Sequence, residues 1–167
     1  MQIRAETKAD TVAIQAVNES AFETPAEAGL VSALREQARP LVSLVAEVDG
    51  AIVGHIMFSP VFLSGHPDLE IMGLAPMAVV PERQREGVGS ALVRAGLEEC
   101  RRLGFGAVVV LGHPEYYPRF GFSPSVHFGI GCQYDVPEDV FMALELRPGS
   151  LGDAAGKVEY HPAFEAL

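Results

Sequence analysis

Residues 70–95 read EIMGLAPMAVVPERQREGVGSALVRA, and this stretch decides the fold. The run Glu70–Val80 is typical of a β-strand, except that Pro76 stands in its middle. Because proline has no N–H to give to a strand ladder, we expect the strand to bulge, splay or lie on a sheet edge there. The segment Gln84–Ser90 then brings two glycines to a helix start, where tight turns and free N–H groups favour binding of an anion such as phosphate.

The residues that follow predict a crossover between parallel strands. From Gly87 to Leu103 the apolar residues recur at helical spacing. Gly106–Leu111 is apolar on both faces, which is typical of an interior strand. A strand, a helix and a strand in this order predict a right-handed crossover, and Val140–Leu146 alternates well enough to be another strand.

The residues before this stretch predict a short strand, two helices and a β-hairpin. The hairpin signal is Asp49–Gly50 between two apolar runs, because both turn residues need positive φ. The first helix begins after the capping box Thr7-x-x-Asp10, and the second begins near Thr24, with Glu27 as its capping glutamate. The segments are Met1–Ala5, the helices around 10–21 and 25–38, Leu41–Val48 and Ala51–Ser59. Together they predict a mixed sheet with helices, in the α+β or α/β class.

Length and composition indicate a globular protein with one domain, and they also limit its possible partners. The chain has 167 residues and a net charge of -10, which argues against nucleic-acid binding. Residues 83–119 nevertheless carry six basic and four acidic side chains. That segment is either an ordinary arginine-bearing helix face or a local anion site. We find no apolar run long enough to span a membrane and no leader sequence, and therefore expect no membrane partner and a cytoplasmic location.

Several chemistries lack their usual sequence signals. The two cysteines, Cys100 and Cys132, are too few for a disulfide framework and favour a reducing compartment. The five histidines show no metal-ligand spacing, so we expect no metal. The glycines of 84–90 match neither a P-loop nor a dinucleotide fingerprint, and no Gly-x-Ser-x-Gly nucleophile is present.

The same residues resemble the GNAT superfamily of N-acetyltransferases. The family signature for acetyl-CoA is Gln/Arg-x-x-Gly-x-Gly/Ala, and Gln84, Gly87 and Gly89 match it. The resemblance extends over about the whole chain and includes a Tyr-x-x-x-Gly-Phe segment that begins at Tyr117. It implies one N-acetyltransferase domain over residues 1–167. In the implied fold a mostly antiparallel central sheet has helices on both faces and one splayed parallel strand pair.

The resemblance also implies a site for acetyl-CoA as co-substrate. Backbone N–H groups of Met77, Ala78 and Val79 would hold the pantetheine amides and the thioester carbonyl. Tyr117 matches the family tyrosine that protonates the departing thiolate, whereas we expect Tyr116 to be a packing residue. The pyrophosphate would lie on the signature loop and helix start, which are Gln84, Arg85, Glu86, Gly87, Val88, Gly89 and Ser90.

The acceptor half of the reaction has weaker signals. A lysine-like amine has a pKa of about 10.4, so it must lose a proton before it attacks a thioester. Glu70, Glu82 and His113 are candidate bases, of which we select Glu70. The acceptor would be an amine-bearing small molecule or peptide. The acidic loops 18–26, 59–70 and 123–135 favour a cationic amine.

Three further possibilities stay open at this level. A chain with this fold could bind CoA without turnover, as a regulatory or interaction module. It could use a longer acyl-CoA, with Met57, Phe58 and Met72 along the acyl end. A second copy of the chain, in a homodimer, is a further candidate partner.

Overall fold

The structure is a computed structural model that describes residues 1–167, apart from the side chain of Ala166. The described residues form one nine-stranded sheet and three α-helices. The helices are α1 (Thr11–Ala21), α2 (Ala26–Gln37) and α3 (Val88–Arg102). The strands are β1 (Gln2–Ala5), β2 (Val42–Val48), β3 (Ala51–Leu63), β4 (His66–Val79), β5 (Ala107–Leu111), β6 (Ser123–Pro124), β7 (Ile130–Cys132), β8 (Phe141–Glu145) and β9 (Gly156–Glu159).

The sheet is mixed and mostly antiparallel, as predicted. Its main order is β1-β2-β3-β4-β5-β8-β6, and β9 pairs with the distal part of β3 and with β7. Within the main order, β4 and β5 form the parallel pair, and α3 is the crossover that joins them. The predicted strand-helix-strand unit is therefore confirmed.

Two hydrophobic clusters lie on opposite faces of the sheet. Ile14 of α1 and Leu30 and Leu34 of α2 are buried against one face. Leu92 and Val93 of α3 are fully buried against the other face. At about 25 cal/mol per Å² of apolar surface removed from water, these faces supply the main driving force that holds the helices on the sheet. Helices on both faces were predicted, and this arrangement is confirmed.

Pro76 lies on β4 inside the sheet and not on an edge strand. Opposite β3, Ile56 pairs with Met77 and Phe58 pairs with Leu74, so β4 has one residue more than β3 across this step. The extra residue is a bulge at Ala75–Pro76, where a missing N–H costs no ladder hydrogen bond. The hairpin prediction is also confirmed, because Asp49 and Gly50 have φ of 50° and 82°.

The segment 59–70, which we expected to be a pocket-forming loop, is mostly strand. β3 continues to Leu63 and β4 begins at His66, so only a tight turn at Ser64–Gly65 separates them. Pairing of β3 with β9, at Phe62 with Glu159, supports this extension, and the distant β9 was not visible in the local pattern. Among the described helices, none is long and apolar enough to cross a membrane.

Candidate functional site

The two parallel strands β4 and β5 separate halfway along their length. Their pairing runs from Ile71 with Ala107 to Gly73 with Val109 and then stops. β4 continues to Val79 and β5 to Leu111, each beyond the last pair. Backbone groups on this side of β4 are therefore left without a strand partner. Such groups must be satisfied by water or by a ligand.

Alternation along β4 decides which residues offer these backbone groups. The N–H of Val80 donates to the carbonyl of Val53 on β3, at 2.9 Å. Because successive residues of a strand point their backbone groups to opposite sides, those of Val79 and Met77 point away from β3 and those of Ala78 point towards it. The carbonyl of Val79 accepts a hydrogen bond from Nε2 of Gln84, at 3.0 Å. The first signature residue thus fixes the loop to the open side of β4.

The signature loop leads into α3 through a left-handed residue. Gly87 has φ of 88° and immediately precedes the helix. A Cβ at Gly87 would have open space around it, so the conformation, and not crowding, requires glycine there. The first amides of α3 have no partner within the helix, and they carry the positive end of its dipole. The predicted helix start is present in the structure, and the binding of an anion there stays a prediction.

A cavity of about 440 Å³ lies at this helix start, and we call it the arginine cavity. Three arginines line it, Arg83, Arg85 and Arg119. Positive charge from these groups and from the helix start favours an anionic ligand. The remaining lining residues are Val79, Gln84, Gly87, Gly89, Ser90 and Tyr116. Two of the seven residues predicted to hold the pyrophosphate do not line it: Glu86 is exposed and pairs with Arg83, and Val88 is buried in the core.

Tyr116 contributes to the arginine cavity as well as to packing. Its hydroxyl is 2.9 Å from Oγ of Ser90, and the guanidinium of Arg119 lies 4.5 Å from its ring centre. It also packs edge-on against the rings of Tyr117 and Phe120. From the sequence we expected Tyr116 to be a packing residue only, because the adjacent Tyr117 matches the family motif better.

A second cavity, of about 360 Å³, lies between the separated ends of β4 and β5, and we call it the tyrosine cavity. Met77 lines it, whereas Val79 lines the arginine cavity, so the open edge of β4 runs from one cavity to the other. Its three titratable lining side chains are Glu27, His113 and Tyr117. Its remaining lining residues are Phe22, Leu30, Leu74, Ala75, Pro76, Leu111, Gly112 and Leu167.

Tyr117 is held in the tyrosine cavity by close packing. Its ring lies over Gly112 at the end of β5, where an added Cβ would come within 2.3 Å of ring atom Cε2. Burial raises the pKa of Tyr117 to about 12. A phenol with this pKa keeps its proton at neutral pH, so it is able to donate one to an anion that forms beside it.

The three candidate bases lie in different places. Glu70 is exposed and lines another cavity, at the opposite end of the β4–β5 pair, so the structure does not bring it together with Tyr117. Glu82 is exposed in the short turn after β4. His113 follows β5 and lines the tyrosine cavity. The order of residues along β4 did not reveal that its two ends face different cavities.

Glu27 lines the tyrosine cavity although it was not among the predicted site residues. It was interpreted as a capping residue of α2, yet its side chain is half-buried and lines the tyrosine cavity. A sequence signal for this role is absent, because α2 reaches the cavity only through tertiary packing. Met57, Phe58 and Met72, which we placed along a longer acyl chain, are fully buried in the core and are not among the residues that line the tyrosine cavity. The use of a longer acyl-CoA stays a prediction.

Comparisons with known proteins agree with this arrangement. The model of the acetyltransferase (GNAT) family matches residues 11–122. The uncharacterized N-acetyltransferase YhbS of Escherichia coli K12 is 39% identical over 165 residues, which is 98% of both chains. The uncharacterized N-acetyltransferase YjhQ of the same strain is 44% identical over 136 residues, covering 79% of this chain and 75% of its own.

Solved structures of similar proteins contain the expected ligand. The crystal structure of Escherichia coli YhbS in complex with CoA has a TM-score of 0.92 and 38% identity, over 98% of this chain and 91% of that one. A GNAT family acetyltransferase from Brucella melitensis, in complex with acetyl-CoA, has a TM-score of 0.80 and 37% identity, over 98% and 97% of the two chains.

Proposed function

Because the chain belongs to the GNAT family of acetyltransferases, we propose that it transfers the acetyl group of acetyl-CoA to a primary amine, by direct attack in a ternary complex. The observation that carries this proposal is the separation of β4 from β5 between the two cavities. An open strand edge suits an extended ligand with amide groups, and CoA has such an arm between its diphosphate and its sulfur.

The donor would lie with its charged end in the arginine cavity. The diphosphate would bind the helix start from Arg85 to Ser90, and the guanidinium groups would neutralise its negative charge. The pantetheine arm would then follow the open edge of β4, with hydrogen bonds to backbone groups of Met77 and Val79. This path brings the thioester to the tyrosine cavity, and donors aimed at its carbonyl oxygen would stabilise the tetrahedral intermediate.

Tyr117 would act as the general acid. When the amine nitrogen bonds to the carbonyl carbon, the C–S bond breaks and the sulfur leaves as a thiolate. The Tyr117 hydroxyl gives its proton to that sulfur and regains one from the substituted nitrogen. Its raised pKa keeps the proton available at neutral pH, and its buried ring holds the hydroxyl in a fixed position.

The test is turnover by Tyr117→Phe, measured as release of CoA thiol from acetyl-CoA with a saturating amine. Loss of proton transfer should lower kcat by roughly 10² to 10⁴, while the Kd for acetyl-CoA, measured by calorimetry, stays the same. Tyr134→Phe is the matched control, because it removes a phenol hydroxyl next to Tyr160, in the other hydrophobic cluster. Unchanged kcat in Tyr117→Phe would contradict the role of Tyr117.

The same assay separates an enzyme from a silent CoA-binding module. A ternary-complex enzyme gives intersecting initial-rate lines when both substrates are varied. Tight binding of acetyl-CoA without thiol release over a broad amine panel would support the module and contradict the proposed transfer.

A further inference from the structure

The tyrosine cavity has one acidic side chain in a mostly apolar wall, and this composition restricts what it can accept. Leu30, Leu74 and Leu111 contribute apolar side chains from α2, β4 and β5, and Phe22, directly after α1, adds another. Glu27 is the only acidic side chain among the described lining residues, and no lysine or arginine lines the cavity. One fixed negative charge compensates one positive charge, and any further charge on a ligand would lose water without gaining a partner.

The carboxylate of Glu27 is available for a ligand. Among the described residues its hydrogen-bond contact is a long one, 3.4 Å from Oγ1 of Thr24. No arginine or lysine forms an ion pair with it among those residues. Glu27 lies in the first turn of α2. Its side chain is half-buried, whereas His113, the neighbouring imidazole in the same cavity, is exposed.

The size of the cavity adds a second restriction. A volume of about 360 Å³ lies near the lower end of the range for small-molecule sites, which is about 300–1,000 Å³. The acetyl thioester would occupy part of it. The remaining space suits a narrow amine-bearing group better than a bulky ligand with several charges.

We propose that the acceptor is a primary monoamine on an apolar group, an alkylamine or arylalkylamine, and that Glu27 binds its ammonium group and removes its proton. This inference rests on the proposed acetyl transfer. The ammonium N–H bond breaks and its proton goes to the Glu27 carboxylate, which later releases it to solvent. The freed nitrogen lone pair then bonds to the thioester carbon, with Tyr117 protonating the sulfur as above.

The acceptor class is tested with matched amines at saturating acetyl-CoA. The probes are 2-phenylethylamine, phenylalanine, which adds a carboxylate to the same skeleton, and spermidine, which has three amines. We expect kcat/KM for 2-phenylethylamine to exceed both others by about tenfold or more, since each extra charge would be desolvated without a partner. A higher kcat/KM with spermidine or phenylalanine would overturn the acceptor class and leave the acetyl transfer intact.

The role of Glu27 is tested with Glu27→Gln, and Glu23→Gln is the matched control, an exposed glutamate four residues earlier. For 2-phenylethylamine at pH 7 we expect kcat/KM to fall by roughly 10²- to 10³-fold in Glu27→Gln and to stay unchanged in the control. The defect should narrow as the pH rises towards the pKa of the amine, about 10, because free amine then needs no base. Glu27→Asp, which keeps the carboxylate, should recover part of the loss.

A weakly basic amine completes the design. O-Benzylhydroxylamine is mostly neutral at pH 7, so Glu27→Gln should retain most of its turnover with this probe. An equal loss with both amines, or no loss with either, would overturn the role of Glu27. A pH-dependent loss in His113→Asn instead would assign the base to His113. The unaltered protein could bind acetyl-CoA and yet release no CoA thiol from it with any amine, including O-benzylhydroxylamine. In that case the proposed function itself fails, and the inference fails with it.

Discussion

The arginine cavity and the tyrosine cavity lie along one open strand edge, yet they have opposite electrostatic character. Arg83, Arg85 and Arg119 surround the first, whereas the second is mostly apolar and has a single acid, Glu27. The first suits a ligand with several negative charges, and the second suits one cation beside an uncharged reacting centre. In the proposed reaction, charge would therefore be bound in one cavity and bonds would be made in the other, and the two cavities share the segment Met77–Val79.

The largest effect, on kcat, is expected from a substitution that crowds the tyrosine cavity without replacing a titratable residue. In Gly112→Ala the new Cβ would lie 2.3 Å from a ring carbon of Tyr117, so the ring must move. Because proton transfer needs hydrogen-bond geometry, we expect kcat to fall by roughly 10²-fold or more. The Kd for acetyl-CoA, measured by calorimetry, should stay within about threefold, because the arginine cavity is unchanged.

Gly131→Ala is the control for Gly112→Ala. Its Cβ would make only ordinary contacts, 3.8 Å from Lys157. Thermal melts of both variants separate displacement of Tyr117 from unfolding. If Gly112→Ala lost donor affinity and turnover in the same proportion, the two cavities would not be independent.

The next effect, on stability, concerns β3, the strand that pairs with the segment Met77–Val79 of β4. His55 of β3 pairs with Ala78 and is fully buried, and burial lowers its pKa to about 4. Nδ2 of Asn18 donates to its Nδ1, and its Nε2 is 2.9 Å from Oγ of Ser43, which in turn donates to Glu6. These contacts require a neutral ring with its proton on Nε2. Arg35, paired with Glu6, is the other charge near His55.

The free energy of unfolding should therefore depend on pH through His55. Above about pH 6.5 the ring is neutral in both the folded and the unfolded chain. As the pH falls towards 4, the unfolded chain gains a proton that the folded chain does not, so the contribution of His55 to stability is lost. The shift from 6.5 to about 4 corresponds to a loss of about 3 kcal/mol.

Urea unfolding between pH 4 and pH 7 measures this effect. In His55→Gln the pH slope should flatten, whatever the absolute stability of the variant, while exposed His127→Gln should keep it. An unchanged slope in His55→Gln would show that other groups cause the pH dependence. If His55→Gln keeps its affinity for acetyl-CoA at pH 7, the segment Met77–Val79 does not depend on the hydrogen bonds of His55.

The smallest effect is expected on donor affinity in the arginine cavity, because three arginines together would attract the negative charge of the donor. In Arg119→Gln one of three guanidinium groups is lost and the exposed site is screened by solvent, so we expect a loss of about 1 kcal/mol. This corresponds to a rise of roughly fivefold in the Kd for acetyl-CoA. The rise should shrink at high salt, and the KM of the amine should not change.

Arg147→Gln is the matched control, because Arg147 is exposed and lines the cavity at the opposite end of the β4–β5 pair. Calorimetry at low and at high salt measures both variants. An equal loss in Arg147→Gln would mean that net charge, and not the arginine cavity, attracts the donor.

Much of the fold was predictable because its signals are local. Asp49–Gly50 defines the hairpin, and Pro76 defines the point where β4 becomes irregular. The loop and helix start that we propose for the donor half of the site were similarly predictable, since Gln84–Ser90 is one continuous segment and its backbone needs glycine at a left-handed position. The acceptor half was not. Glu27 lies on α2 and Tyr117 after β5, and nothing in either neighbourhood indicates that the two line one cavity.

The amino-acid sequence by itself determined the order of the main strands and helices, the turn at Asp49–Gly50, the irregular point at Pro76, and the helix start that favours an anion. These features depend on the conformational limits of glycine and proline and on apolar periodicity within short segments. Only the tertiary structure decided that Glu70 lies away from Tyr117 and that Glu27 shares its cavity. Such distances depend on how α1 and α2 pack over the sheet, and many residues far apart in the sequence contribute to that packing at once.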